Sequence, residues 1–230
     1  MSVIGEYKEH DRMPIAVDCI IFGFDGKDLK ALLIKRGFEP GFGKWSLMGG
    51  FVRLEESIDK GAARILEALT GLTDIYMEQL YCFGEVNRDP GGRVVSVAYF
   101  ALIKIDDYSE ELVRQHNAKW YNIKGIPPMI FDHKKMMLMA KERLQQKVAT
   151  HPIGFELLPE KFTLAQLQSL YEAIYEVSFD KRNFLRKILS LDILQKLNEK
   201  EKLLSRRGSF YYMFDHKKYT KLEQEGLKFV

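Results

Sequence analysis

Residues 45–72, WSLMGGFVRLEESIDKGAARILEALTGL, constrain this chain more than any other stretch. An apolar run ends in two glycines. A segment over 57–70 follows in which Ile58, Ala62, Ile65, Leu66 and Leu69 recur at helical spacing on one face. Strand-like runs precede it at 16–22 and 29–34, separated by a turn at Asp25-Gly26. Further strands are expected at 80–86 and 94–105, and a helix over about 132–148. Strands and helices interleave, which predicts an α/β sandwich rather than segregated layers.

Residues 49–72 also carry a spaced pattern. Gly50, Glu56, Arg64, Leu66, Gly71 and Leu72 match G-x5-E-x7-R-E-U-x-E-E-x-G-U, with U aliphatic. This resembles the Nudix box, and the preceding Trp45-Ser-Leu-Met-Gly-Gly resembles that family's run into it. With its flanking strands the resemblance covers about residues 10–148 and implies the Nudix fold, a mixed sheet between helices. The departures carry the chemistry. Where the family places catalytic glutamates, this chain has Ile65, Ala68 and Leu69. Mg²⁺ needs carboxylate oxygens as well as substrate phosphate, so no cofactor or metal is expected. Glu67 occupies the unconstrained position of the box, and a helical step of about 100° turns it away from positions 68 and 69. Diphosphate hydrolysis is therefore not expected, and a pocket kept without its catalysis suggests ligand sensing.

At 230 residues, with 46% hydrophobic and 29% charged residues, the chain suits two modest domains. No apolar run reaches the roughly 18 residues of a membrane span, and the polar start MSVIGEYKEHDRMP is not a signal peptide. A cytoplasmic location is expected. Cys19 and Cys82 sit in apolar runs without metal-ligand spacing and read as reduced packing residues. The stretch 149–154 breaks the preceding helix, so the units are taken as 1–150 and 151–230. Net charge is +3, but residues 178–221 hold 12 basic and 5 acidic side chains. A basic module beside a neutral one suits nucleic-acid binding; a solvated lysine-rich surface is the alternative.

Thr163-Leu-Ala-Gln166 has the form of a capping box, and Leu164, Leu167, Leu170, Tyr171 and Ile174 follow at helical spacing. After a turn at 177–179, Asp180 suits the N-cap of a second helix. Phe184, Leu185, Ile188 and Leu189 form its apolar back. Lys181 opens the helix, and Arg182, Asn183, Arg186, Lys187 and Ser190 form its front. Arg can pair with guanine and Asn with adenine in the major groove. Strands at 194–197 and 210–214 then make a hairpin whose tip, with Lys200, Lys202, Arg206, Arg207 and Gly208, suits phosphate or minor-groove contacts. This reads as a winged helix-turn-helix. The combination resembles the Nudix-related transcriptional regulators, which implies a homodimer on a palindromic double-stranded operator and a small-molecule effector.

That resemblance has two branches, sensing either ADP-ribose-like nucleotides or sugars. Without the metal carboxylates, a sugar is the expected effector, L-arabinose first. Asp18, Glu56 and Glu85 are the candidate acceptors for its hydroxyls, and Lys44 and Arg88 the donors. Trp45 either stacks on a sugar or belongs to the core. Asp18 stands out because a carboxylate within an apolar strand needs a partner. Arg64 is expected in a structural ion pair. The competing classes are an active Nudix hydrolase and an RNA-binding or protein-docking module.

Overall fold

The computed structural model describes residues 10–105, 115, 117–202 and 208–225. Its first unit is built on one long strand, β1 (Ile15–Phe24). β1 runs parallel to β6 (Val95–Leu102) along one edge. On the other edge, Ala16 to Cys19 pair with β4 (Met48–Phe51), and Ile21 to Phe24 pair with β2 (Leu29–Lys35), both antiparallel. β3 (Trp45–Ser46) and β7 (Ala118–Asn122) extend the sheet from β2, and β5 (Tyr76–Phe83) closes it beyond β6. The sheet is mixed, as the resemblance implied.

Because β1 has helices on both sides, it is apolar on both faces. Val17, Cys19 and Ile21 pack toward α1 (Ile58–Thr70), with Ala62, Ile65 and Leu66. Ile20 and Phe22 pack toward α2 (His133–Thr150), with Met136, Met137, Ala140 and Leu144. Ser57 caps α1 by accepting from the Lys60 N–H, and Gly71 ends it at φ 71°, a conformation that favours glycine.

Past α2, a 3₁₀ turn (Pro152–Leu157) leads to a small three-stranded sheet, ordered β8 (Phe162–Thr163), β10 (Ser209–Phe214), β9 (Leu194–Glu201). It carries α3 (Leu164–Tyr175), α4 (Lys181–Ser190) and α5 (His216–Gln224). The Thr163/Gln166 capping box forms in full, and the Asp180 carboxylate accepts the Asn183 N–H at 2.9 Å. Glu172 and Gln168 clamp the turn between α3 and α4 through the backbone of Phe179. This is the winged helix expected. Its apolar residues, Leu167, Leu170 and Ile174 among them, join the α2 face in one continuous core. Among the described residues no helix is long and apolar enough to cross a membrane.

Some expectations require correction. The strand expected at 80–86 runs from Tyr76 to Phe83. Cys82 is exposed rather than packed, because β5 is an edge strand whose pairing shifts between Gln79 and Tyr81. Ala68, whose apolar side chain suits a helix packed on a sheet, is instead exposed, lying about 200° around α1 from buried Leu66. Leu189 is exposed too: α4 is anchored through Ile188 and half-buried Phe184, and Leu189 lies a further helical step of about 100° around. Lys200 belongs to β9, where it lies over the Phe210 ring, rather than to the hairpin tip. β7 and α5 are elements the periodicity did not reveal.

Candidate ligand cleft and nucleic-acid interface

On the α2 side of the sheet, where β1 meets the start of α2, lies a cleft of about 230 Å³. Asp18 forms its floor, sitting between Ala16 and Ile20 on β1. Gly49 of the neighbouring strand makes room for it: a Cβ there would lie 2.5 Å from the Asp18 carboxylate. Ser96 Oγ donates to Asp18 Oδ2 at 2.6 Å. Arg88, in the loop after β5, reaches Asp18 at 3.6 Å and grips Asp132 with Nε at 3.0 Å and a terminal nitrogen at 2.8 Å. The Arg88 side chain is only 3% exposed, so this fork is a buried ion pair.

His133, the first residue of α2, completes the network. Its Nδ1 accepts the Leu47 N–H at 3.0 Å, which leaves Nε2 as the protonated nitrogen, 3.7 Å from Asp18 Oδ1. Burial lowers the His133 pKa, and Arg88 and Arg36 push the same way against Asp18 and Asp132. The ring is therefore neutral near pH 7. Arg36 and Phe38 at the end of β2, together with Phe51 and Phe131, form the cleft's lips.

The expected ligand residues divide. Asp18 and Arg88 line the cleft. Lys44 is exposed on the loop before β3, and Glu85 is exposed on the loop after β5, contributing only its backbone carbonyl to Arg88 and Arg93. Trp45 is half-buried and packs against the core, edge-on to Tyr121 at 5.0 Å. Glu56 is held by Arg64, which donates from Nε at 2.9 Å and from a terminal nitrogen, and also by the Arg53 N–H. Those bonds hold the Glu56 carboxyl down at about 2. Arg64 thus makes the structural ion pair expected of it. Sequence reasoning missed Arg36, Ser96, Asp132 and His133. The one local signal was Asp-His at the start of a helix.

A divalent metal does not fit these residues. Ile65 is buried against Gly50, Ala68 and Leu69 offer no oxygen, and Glu56 is taken by Arg64. Among the described residues no group of three or more His, Cys, Asp or Glu is placed to hold a metal ion.

The second surface is α4. Lys181, Arg182, Asn183, Arg186 and Lys187 are all exposed there, and the Arg186 guanidinium donates to Asn183 Oδ1 at 2.9 Å. Arg206 and Arg207 lie outside the described residues. The two surfaces are joined by α2. Its Gln145 side chain donates to the Ile174 carbonyl at 2.8 Å, and the Tyr175 hydroxyl donates to the Gln145 carbonyl at 2.8 Å. Lys141 pairs with Glu176 at 2.8 Å.

Two protein families match the sequence: the NUDIX domain over residues 12–140 and the NrtR DNA-binding winged helix domain over residues 154–214. The chain is 32% identical over 219 residues to the ADPR responsive transcriptional repressor NtrR of Acinetobacter baylyi, covering 93% of this chain and 87% of the relative. It is 32% identical over 137 residues to an ADP-ribose pyrophosphatase of Methanocaldococcus jannaschii, covering 58% of this chain and 76% of that one. Among solved structures, Shewanella oneidensis NrtR complexed with a 27mer DNA matches with a TM-score of 0.81 at 28% identity, covering 90% and 95% of the two chains. The NUDIX domain of the same protein with ADP ribose matches at 0.51 and 30% identity, covering 61% and 94%. The arabinose expectation gains no support from these relatives, and Trp45, left open between sugar stacking and the core, packs against the core rather than lining the cleft.

Proposed function

Because the chain belongs to the NrtR-like family of NUDIX-domain transcriptional regulators, we propose that its cleft binds ADP-ribose without cleaving it, and that occupancy weakens operator binding. The observation that carries this reading is a likeness running through both units, to a repressor responsive to ADPR and to a regulator held on DNA. A cleft of about 230 Å³ falls below the ~300–1,000 Å³ of whole-ligand pockets, so it seats one part of a nucleotide sugar. The flat remainder lies over the lips, where Phe38 and Phe51 expose more than half their surface. Lys181, Arg182, Asn183, Arg186 and Lys187 would meet the DNA. We take residue 150 as the unit boundary, a homodimer as the reading form on a palindromic operator, and the cytoplasm as its place of work.

The likeness to a pyrophosphatase favours a second reading, a hydrolase. Ile65, Ala68 and Leu69 stand against it, since none supplies an oxygen to a metal. One experiment addresses both readings. The full chain is titrated with ADP-ribose or L-arabinose, with and without operator DNA, and the nucleotide is then assayed for cleavage with Mg²⁺ or Mn²⁺. The expected result is ADP-ribose binding, no product, and operator affinity lowered by about 5- to 150-fold. Binding of arabinose alone, or turnover near about 1 s⁻¹, would overturn the proposal.

A further inference from the structure

The charges of the cleft can be accounted for one by one. Arg88 is neutralised by Asp132, with Asp18 close by. Asp18 is shared by Ser96, Arg88 and His133. Asp89, which also lines the cleft, accepts the Gly91 N–H at 2.7 Å, and Glu39, on the loop after Arg36, is spent on the backbone N–H groups of Gly41 and Phe42. One cation is left over. Arg36 has no carboxylate partner among the described residues, and its Nε is buried with no hydrogen-bond acceptor. A buried donor without a partner is uncommon enough to call for an explanation.

Arg36 is nevertheless fixed in place. Its backbone closes the 36–44 loop, donating to the Lys44 carbonyl at 2.9 Å and accepting the Gly43 N–H at 2.8 Å. Its guanidinium lies 3.9 Å from the centroid of the Phe38 ring and 5.4 Å from that of Phe131. Stacking on rings occupies the faces of a guanidinium and leaves its in-plane donors for an acceptor. A planar fork of N–H groups matches two oxygens of a phosphate.

We infer that Arg36 is the residue that receives the ligand's diphosphate, so that the cleft binds its anion without a metal ion. The inference rests on the nucleotide reading above and names how that ligand is held. It also gives the loss of carboxylates on α1 a physical consequence. With no metal there to screen a diphosphate, the compensating charge comes from Arg36 at the lip of the cleft.

Calorimetric titration of the full chain in EDTA tests this, using ADP-ribose, inorganic pyrophosphate and adenosine as separate probes. The unaltered protein should bind ADP-ribose equally well in EDTA and in Mg²⁺. Arg36→Gln should weaken ADP-ribose by about 10- to 100-fold, as expected for losing charge-assisted hydrogen bonds, with ligand-free operator binding unchanged. Adenosine, which lacks phosphate, should bind both proteins alike. Arg36→Lys keeps the charge and loses the fork, and should fall by about 5- to 10-fold; it decides the matter if the glutamine variant does not fold. ADP-ribose affinity within twofold of the unaltered protein for either folded variant, or binding lost in EDTA, would overturn the inference. Should the unaltered protein ignore ADP-ribose, the reading above fails. Pyrophosphate then decides for Arg36: binding abolished by Arg36→Gln upholds its role, and no binding at all sinks it.

Discussion

The cleft and the exposed face of α4 are both rich in charge, yet they keep it in opposite ways. In the cleft, Arg88, Asp18, Asp132 and His133 are largely withdrawn from water and face one another, with Arg88 and Asp132 joined by two hydrogen bonds. On α4, five basic or amide side chains stand in solvent, with only the Arg186–Asn183 contact among them. A buried network fixes a shape in advance, at the cost of desolvating every member, and so suits one small ligand. An exposed cationic face costs little to maintain. It is matched to a polyanion whose charge is regular and whose contacts form only on docking. One chain thus holds a rigid site for selectivity and an open site for electrostatic capture.

If that contrast holds, the same kind of substitution should act on stability in one region and on binding in the other. The largest effect is expected from Arg88→Ala, which strands Asp132 and Asp18 without their buried partner. A loss of about 3–5 kcal/mol in unfolding free energy should appear in urea titration. A loss below about 1 kcal/mol would mean that the cleft is wetter and looser than its geometry indicates. Next comes Arg182→Ala on α4. Operator affinity should fall by about 1–3 kcal/mol while the melting temperature stays put. A drop in stability with unchanged DNA binding would reverse the assignment of the two regions.

The smallest effect sharpens the contrast through pH. His133 has its pKa lowered from the ordinary 6.5, chiefly by burial. The unfolded chain therefore takes up a proton there before the folded one does. Stability should decline as pH falls below about 6.5, by at most about 1.4 kcal/mol per pH unit. The Glu56–Arg64 pair loosens only at lower pH, between 4.5 and about 2, so the window from 7 to 5.5 isolates the histidine. His133→Asn, which keeps an acceptor for the Leu47 N–H, should flatten the slope there. An unchanged slope would remove His133 from the network's pH response.

Much of this protein was legible locally. Helical spacing marked the apolar face of α1. The register of Gly50, Glu56 and Arg64 identified the Nudix fold, and the residues at 65, 68 and 69 spelled out the loss of metal ligands. Thr163, Gln166 and Asp180 announced two helix starts, because a cap bonds within three residues of itself. Asp18 was found because a carboxylate in an apolar strand has to be paired.

What it pairs with was beyond the sequence. Ser96 lies 78 residues away, and the fork between Arg88 and Asp132 spans 44. Such meetings depend on the parallel register of β1 with β6 and on where α2 begins over the sheet, and no local periodicity encodes either. The same reason packed Trp45 against the core, left Glu85 in solvent and turned Cys82 outward. Alternation and spacing report which face a residue takes on its own element. The chain alone determined its elements, its family and the absence of the box's glutamates at 65, 68 and 69. The packing of those elements decided which charges share a cleft, and left Arg36 as the one cation there without a partner among the described residues.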